Sequence, residues 1–143
     1  MATYQSVGKN DHIVTEPHMQ RAQRALDAAE LLAREGFPAD AACRAHQATI
    51  HAERALLATE KRSPTTIRNV HRLAEQHFVK PGQVDPGFLP RLAALGSLRS
   101  SIDEQPLGDA DVEDANAALA TARDFLKATA DWIGGHGYAQ AGS

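Results

Sequence analysis

Arginine and histidine occur together on the predicted helices, and this pairing is the clearest chemistry in the chain. Arg44 and His51 lie seven positions apart, so both fall on nearly the same face of a helix. An arginine guanidinium can hold a phosphate through two hydrogen bonds and stabilise developing negative charge. A histidine titrates near neutral pH and can act as a general acid or base. The two residues could therefore form a catalytic pair, or both could contact a neighbouring helix or a second subunit.

Arg99 is a further candidate for a functional cation. Asp103 follows it by four positions, so the two either belong to a site or form an i, i+4 ion pair on one helix. Arg72 and His77 repeat the arginine–histidine combination at a shorter spacing. We interpret that second combination as a solvated helix face with a cation near the helix C-terminus.

Several familiar catalytic and metal-binding patterns do not occur in the sequence. No Glu is followed by His three positions later, as a di-iron bundle requires, and the zinc-protease pattern His-Glu-x-x-His is missing. The glycine-rich phosphate loops and the Gly-x-Ser-x-Gly elbow are missing as well. The single cysteine, Cys43, rules out an intrachain disulfide and a Cys-built zinc finger. We therefore expect no metal and no cofactor.

The charge of the 143-residue chain is distributed unevenly around a net value of −3. Residues 61–99 carry seven basic and two acidic side chains, whereas residues 100–143 carry two basic and eight acidic ones. A local basic surface can bind phosphates, although helix faces of mixed, solvated charge would have the same composition.

The composition predicts a soluble globular protein. Hydrophobic residues make up 43% of the chain and charged residues 23%. No apolar run approaches the roughly 18 residues of a membrane span, and the N-terminus lacks the pattern of a secretory signal. We expect a cytoplasmic protein that does not associate with membranes.

Apolar residues repeat at helical spacing along most of the chain, and β-branched residues are sparse. Proline and glycine positions predict five helices. The first four are expected at about 17–35, 38–59, 64–77 and 87–103. The fifth is expected to run from a cap at Asp109 or Asp111 to about residue 133. The expected fold is all-α, an antiparallel up-and-down bundle of four to five helices over residues 15–134. Residues 1–14 are expected to form a flexible arm and residues 135–143 a flexible tail.

Several segments resemble HEPN-domain proteins. Residues 44–57 read RAHQATIHAERALL, which is similar to the pattern Arg-x-x-x-Ala-x-x-His-Ala-x-x-Ala-Leu-Leu in the second helix of small stand-alone members. Further elements follow in the family's order, namely Phe78-Val79-Lys80-x-Gly82, Leu98-Arg99 with Asp103, and a closing helix with Glu113, Ala115, Ala122, Phe125 and Leu126. The likeness covers about residues 18–133.

This resemblance implies a helical bundle that forms a homodimer. Such domains often occur beside a minimal nucleotidyltransferase as a toxin–antitoxin pair. Active members are metal-independent endoribonucleases with an Arg-x(4–6)-His motif at the dimer cleft. On this basis we predict catalytic roles for Arg99 and Asp103 and, second, for Arg44 and His51. RNA contacts are expected from the basic residues Arg68, Arg72 and Lys80.

The motif on the fourth helix departs from the family pattern, since no His follows Arg99 at an allowed spacing and no Tyr is present there. Ribonuclease activity therefore remains one of three hypotheses. The second is a non-catalytic interaction module that binds a nucleotidyltransferase partner. The third is a nucleotide-binding bundle, which a pocket lined by Arg and His between helices would favour.

Overall fold

A computed structural model describes residues 9–106 and 108–136, and these residues form a bundle of α-helices. The five helices are α1 (Lys9–Arg34), α2 (Pro38–Thr59), α3 (Ile67–Ala74), α4 (Phe88–Glu104) and α5 (Val112–Gly135). No strand occurs within the described ranges. The predicted all-α helical bundle is confirmed.

Helix α2 is the central element of the bundle. It packs most extensively against α1 and then against α5, and it also contacts α3 and α4. Six alanines of α2 are completely buried, namely Ala41, Ala42, Ala45, Ala48, Ala52 and Ala55. Small side chains let helix axes approach closely, so α2 can contact four neighbours at once. Polar side chains of α2 are consequently placed at several inter-helix grooves.

Aromatic side chains fill the core where α2 meets the later helices. Phe78 and Phe125 are completely buried. The ring of Phe125 packs edge-on against Phe88 of α4, with centroids 5.3 Å apart. Edge-to-face packing of this kind is favourable beyond the area it buries. It fixes α4 against α5 and so helps to place the cations of α4.

The helix ends follow the expected capping chemistry. Gly36 has φ +88°, the left-handed conformation that ends α1, and Pro38 opens α2. Asp111 caps α5 by accepting a hydrogen bond from the backbone of Asp114, whose side chain accepts one from Asp111 in return. Of the two predicted caps for α5, Asp111 is therefore the one used.

Two helix starts differ from the sequence prediction. Helix α1 begins at Lys9, before the expected start near Pro17, so Pro17 lies inside the helix. Residues 9–14 of the predicted arm are helical, and residues 1–8 lie outside the described ranges, as do residues 137–143 of the predicted tail. Helix α3 begins at Ile67 rather than after Ser63, because the Oγ1 of Thr66 accepts from the backbone N–H of Asn69 at 3.2 Å and caps it there.

A single π-helical turn, Glu75–Val79, follows α3 directly. Phe78 and Val79, which the sequence placed in a loop, belong to this turn and are completely buried. Such turns are rare and occur frequently beside functional sites. Here the turn carries the chain from α3 into the core and sets the position of α3 over α2.

Candidate functional site

Arg44 lies between two grooves on the surface of α2. The Arg44–Arg99 groove, of about 500 Å³, contains Arg44 of α2, Ile67 of α3 and Arg99 of α4. The Arg44–His51 groove, of about 160 Å³, lies between α1 and α2. Arg44 and Gln47 line both grooves, whereas Arg99 and His51 line only one each. The fold thus places Arg44 in one groove with Arg99 and in another with His51, whereas Asp103, the fourth predicted residue, lines neither.

The side chain of Arg44 is exposed and makes one weak side-chain hydrogen bond. Its Nη1 donates to the Oε1 of Gln47, one turn further along α2, at 3.3 Å. Within the described residues it has no carboxylate partner at ion-pair distance. Its remaining donors can therefore bind an anion from solvent.

Arg99 is held by two contacts. Its Nε donates to the Oδ2 of Asp103 at 2.9 Å, and its Nη1 donates to the backbone carbonyl of Cys43 on α2 at 3.2 Å. The i, i+4 ion pair considered as an alternative in the sequence is therefore present. Asp103 orients the guanidinium of Arg99, which faces the same groove as Arg44.

His51 lies half-buried beside a group of cations. Burial lowers its pKa, and the positive charges of Arg21, His18 and Arg54 lower it further. The imidazole is therefore neutral at neutral pH and can accept a proton. Of the two roles that the sequence allowed for it, general acid or general base, this protonation state suits the base.

Two arginines that the sequence analysis did not single out complete the Arg44–His51 groove. Arg21 and Arg24 of α1 line it together with Arg44 and His51, and no carboxylate residue is among its lining residues. Neither forms an ion pair with any residue that the structure describes, unlike Arg91 or Arg123. Their spacing of three on a predicted helix was the available signal. Three guanidiniums in a groove whose lining contains no carboxylate indicate an anion-binding surface.

A second polar arrangement crosses from α2 to α3. Glu53 of α2 is completely buried, and its carboxylate contacts the Nδ1 of His71 on α3. The Nε2 of His71 also lies 3.3 Å from the Nε2 of His46. His46 lies about two turns before Glu53 on α2. No spacing in the sequence indicates this contact among three residues, because His46 and His71 belong to different helices.

The pKa values of these three residues depend on burial and on one another. Burial, the neighbouring His71 and the charge of Arg99 lower the pKa of His46 to about 4. Burial alone would lower the pKa of His71, but the hydrogen bond and charge of Glu53 outweigh it and raise that pKa. Burial also raises the pKa of Glu53, against the opposing effect of His71. At neutral pH the imidazole of His46 is therefore uncharged.

His46 and His71 open onto a third groove, of about 760 Å³, between α3 and α4. This His46–His71 groove is also lined by Arg68 and by three serines of α4, Ser97, Ser100 and Ser101. Of the three residues predicted to contact RNA, Arg68 therefore lies beside histidines. Arg72 donates to the Oδ1 of Asn69 at 3.2 Å, and exposed Lys80 follows the π-helical turn. Neither lines the three grooves defined above.

Two further features bear on the function. Among residues 9–106 and 108–136, no group of three or more His, Cys, Asp or Glu side chains is arranged to hold a metal ion. In the same ranges, no helix is both long enough and apolar enough to span a membrane.

Comparison with known proteins identifies a family. A family model described as the HEPN domain matches residues 15–132, most of the chain and all of the residues that line the three grooves. No curated protein matches the chain.

Proposed function

The chain belongs to the HEPN-domain family, and from this premise we propose that it is a metal-independent endoribonuclease whose site is centred on Arg44. The observation that supports the proposal is the position of Arg44, which shares one groove with Arg99 and another with His51. An exposed cation that can bind phosphate thus lines the same groove as a neutral imidazole. The two kinds of group that RNA cleavage without metal requires are present on one surface.

The reaction that fits these groups is transfer of the RNA phosphate to the adjacent 2′-hydroxyl. His51 accepts the proton of the 2′-hydroxyl, and the 2′-oxygen forms a bond to phosphorus. The bond from phosphorus to the 5′-oxygen breaks, which gives a 2′,3′-cyclic phosphate, and the departing 5′-oxygen takes a proton from water. His51 then returns its proton to solvent. Arg44 stabilises the charge on the phosphate oxygens during the transfer.

The proposed assembly is a homodimer in which the two Arg44 surfaces face a common cleft. Ile67, which lines the Arg44–Arg99 groove, is 50% exposed, and Phe37 just before α2 is 53% exposed. Exposed apolar side chains beside a charged groove are a feature of surfaces that bind a second subunit. A cytoplasmic toxin–antitoxin pair with a minimal nucleotidyltransferase is the proposed biological setting.

A second candidate function is nucleotide binding without catalysis, in a module that binds a nucleotidyltransferase partner. The observation that favours it is the His46–His71 groove, where Arg68 and two histidines line a space between helices. Arginine and serine hydroxyls are suitable donors for a nucleotide phosphate.

The test is cleavage of single-stranded RNA by the purified chain in EDTA. We expect cleavage by the parent protein, with His51→Ala and Arg44→Ala each reducing the rate by about 10²-fold or more. Arg123→Ala is the matched control, because Arg123 pairs with Glu30 away from the site and should leave the rate unchanged. Circular dichroism checks that all variants keep the helical content of the parent.

Two results would overturn the proposal. One is a folded dimer that cuts no RNA, and the other is full activity in His51→Ala. If the inactive protein binds a fluorescent nucleotide and Arg68→Ala abolishes that binding, the second candidate function replaces the first.

A further inference from the structure

His71 of α3 contacts two side chains of α2 through its two ring nitrogens. Its Nδ1 forms an ion pair with the carboxylate of Glu53, and its Nε2 lies 3.3 Å from the Nε2 of His46. We call these three residues the Glu53–His71–His46 cluster. Because Glu53 and His46 lie about two turns apart on α2, the imidazole of His71 connects α3 to α2 at two separate points.

One protonation state of the cluster satisfies both contacts. The hydrogen bond and charge of Glu53 raise the pKa of His71, and below that pKa its imidazole carries a proton on each nitrogen. Nδ1 then donates to Glu53, and Nε2 donates to the Nε2 of His46. His46 can accept because its pKa is lowered to about 4, which leaves the imidazole uncharged.

Glu53 depends on the charge of His71. The carboxylate is completely buried, and among the described residues it forms an ion pair with His71 alone. A buried charge whose partner is removed is strongly unfavourable. When His71 loses its proton, its neutral imidazole no longer compensates the negative charge of Glu53, and the contact between α2 and α3 weakens.

Helix α3 has few other contacts that could hold it in place. It has eight residues, of which Val70 and Ala74 are buried and Leu73 is partly buried. Three apolar side chains of this size bury little area. A helix of eight residues is also too short to be stable on its own in water. The attachment of α3 therefore depends on the Glu53–His71–His46 cluster.

We propose that the Glu53–His71–His46 cluster is a pH-sensitive contact that holds α3 against α2 while His71 is protonated and releases it when His71 loses its proton. The start of α3 forms part of two grooves, since Ile67 lines both the Arg44–Arg99 groove and the His46–His71 groove. Release of α3 therefore changes the shape of both. The proposal does not depend on ribonuclease activity, because it concerns the attachment of α3 alone.

Other charged side chains around the cluster do not replace the proton of His71. They are Glu75 of the π-helical turn, Arg68 of α3, and Arg99, Asp103 and Glu104 of α4. Glu75 is negative and raises the pKa of His71 further. Arg99 is paired with Asp103 and lowers the pKa of His46 rather than that of His71. None of the five forms an ion pair with Glu53.

Release of α3 is linked to the loss of one proton over a defined pH range. In released α3 the pKa of His71 returns to its ordinary value of 6.5, whereas in attached α3 it lies above that value. Between these two values the attached form binds one proton more, so release becomes about tenfold more favourable for each unit of rising pH. Above the raised pKa both forms have lost the proton, and release no longer changes with pH.

The experiment is amide hydrogen exchange of the full chain, followed by NMR at several pH values above 6.5 and corrected for the intrinsic effect of pH on exchange. The amide of Val70, which donates to the carbonyl of Thr66, reports on α3. Its protection should fall about tenfold for each pH unit and then level off. It should be lower than the protection of α5 amides at every pH, because α3 is released while the bundle stays folded.

Glu53→Gln tests the origin of the pH dependence, because glutamine keeps the shape of the side chain and removes its charge. Without that charge, burial lowers the pKa of His71, so both forms of α3 are unprotonated above pH 6.5. The pH dependence of α3 protection should then disappear. His77→Gln is the matched control, since His77 follows α3 but lies 3.8 Å from Glu60, outside the cluster, and should leave the tenfold dependence unchanged.

A measurement on the parent protein covers the case in which Glu53→Gln does not fold. The imidazole resonances of His71 should titrate at the pH where the protection of α3 levels off. The proposal is overturned if the protection of α3 in the parent does not change with pH, or if it equals that of α5. It is equally overturned if Glu53→Gln keeps the dependence, or if His77→Gln abolishes it.

Discussion

The Oδ2 of Asp103 accepts a hydrogen bond from the Nε of Arg99 at 2.9 Å, and this contact fixes the direction of the guanidinium. The Nη1 of Arg99 can then donate to the carbonyl of Cys43, which ties α4 to α2. Asp103 is exposed and does not line the Arg44–Arg99 groove. Its role in the proposed site is therefore to position Arg99 rather than to transfer a proton.

Replacement of Asp103 should show how much of the contribution of Arg99 depends on the orientation of its guanidinium rather than on its charge alone. We expect Asp103→Ala to change the free energy of unfolding by less than about 0.5 kcal/mol, because an exposed i, i+4 ion pair contributes little. RNA cleavage should fall several-fold, since Arg99 loses its direction, and Arg99→Ala should lower it further. Urea denaturation and initial cleavage rates measure the two effects. A larger loss of activity in Asp103→Ala than in Arg99→Ala would contradict the positioning role.

The unpaired arginines of α1 should contribute to RNA affinity. Arg21→Ala and Arg24→Ala should each weaken RNA binding and reduce the slope of log affinity against log salt by about one. The reason is that each guanidinium faces the Arg44–His51 groove without a carboxylate neighbour. Fluorescence anisotropy at several salt concentrations gives both quantities. Arg62→Ala serves as the control, because Arg62 already pairs with Glu60 at 3.0 Å and should show neither change.

The pH dependence of cleavage should report the environment of His51. Because burial and nearby cations lower its pKa, the imidazole stays deprotonated below the ordinary value of about 6.5. Activity that needs the neutral base is therefore retained down to this lower pKa and lost as the pH falls through it. Arg21→Ala removes one of the charges that lower the pKa, so the acidic limb of the rate profile should move to higher pH.

Arg24→Ala is the matched control for that profile, since Arg24 lines the same groove but does not contribute to the lowered pKa of His51. It should weaken binding and leave the acidic limb in place. An acidic limb that moves equally in both variants, or that lies above pH 6.5 in the parent, would assign the base to another residue. An NMR titration of the imidazole of His51 gives an independent value.

Local sequence signals predicted the helices well wherever one residue decides a helix end. Gly36 and Pro38 mark the boundary between α1 and α2, and the structure has α2 at Pro38–Thr59 as expected. The start of α3 was wrong because Ser63-Pro64 and Thr66 both carry capping signals, and the hydrogen bond to Asn69 selects Thr66. The start of α1 was wrong because a proline inside a helix leaves no mark that distinguishes it from one at the first turn.

The residues of the candidate site follow from the sequence only where they share one helix. Arg44 with His51, and Arg99 with Asp103, follow from spacing along α2 and α4. The contact between His46 and His71 spans 25 positions and depends on how α3 lies over α2, which periodicity does not specify. Arg21 was missed for the same reason, because its importance comes from the helix that faces it.

The ion pair between buried Glu53 and partly exposed His71 should be a strong determinant of stability. Removing one partner leaves the other polar group uncompensated in the core, so His71→Ala should lower the free energy of unfolding by about 3 kcal/mol. The double variant Glu53→Leu with His71→Leu should lose less than the sum of the losses in Glu53→Leu and His71→Leu measured singly, because neither charge is then stranded. Urea denaturation measures the double variant and both single leucine variants. Additive losses would mean that the two side chains do not interact.

The alanines of α2 should tolerate no larger side chain where the neighbouring helices approach closely. Ala52 is completely buried, so Ala52→Leu forces additional carbons into a packed interface. We expect a loss of about 1–3 kcal/mol in the free energy of unfolding, measured by urea denaturation. Ala117→Leu is the control on α5, because Ala117 is exposed and leucine is a good helix former, so stability should hardly change. If Ala52→Leu were as stable as Ala117→Leu, the alanines would not be what allows α2 to approach its neighbours closely. The placement of Arg44, His46 and Glu53 would then need another explanation.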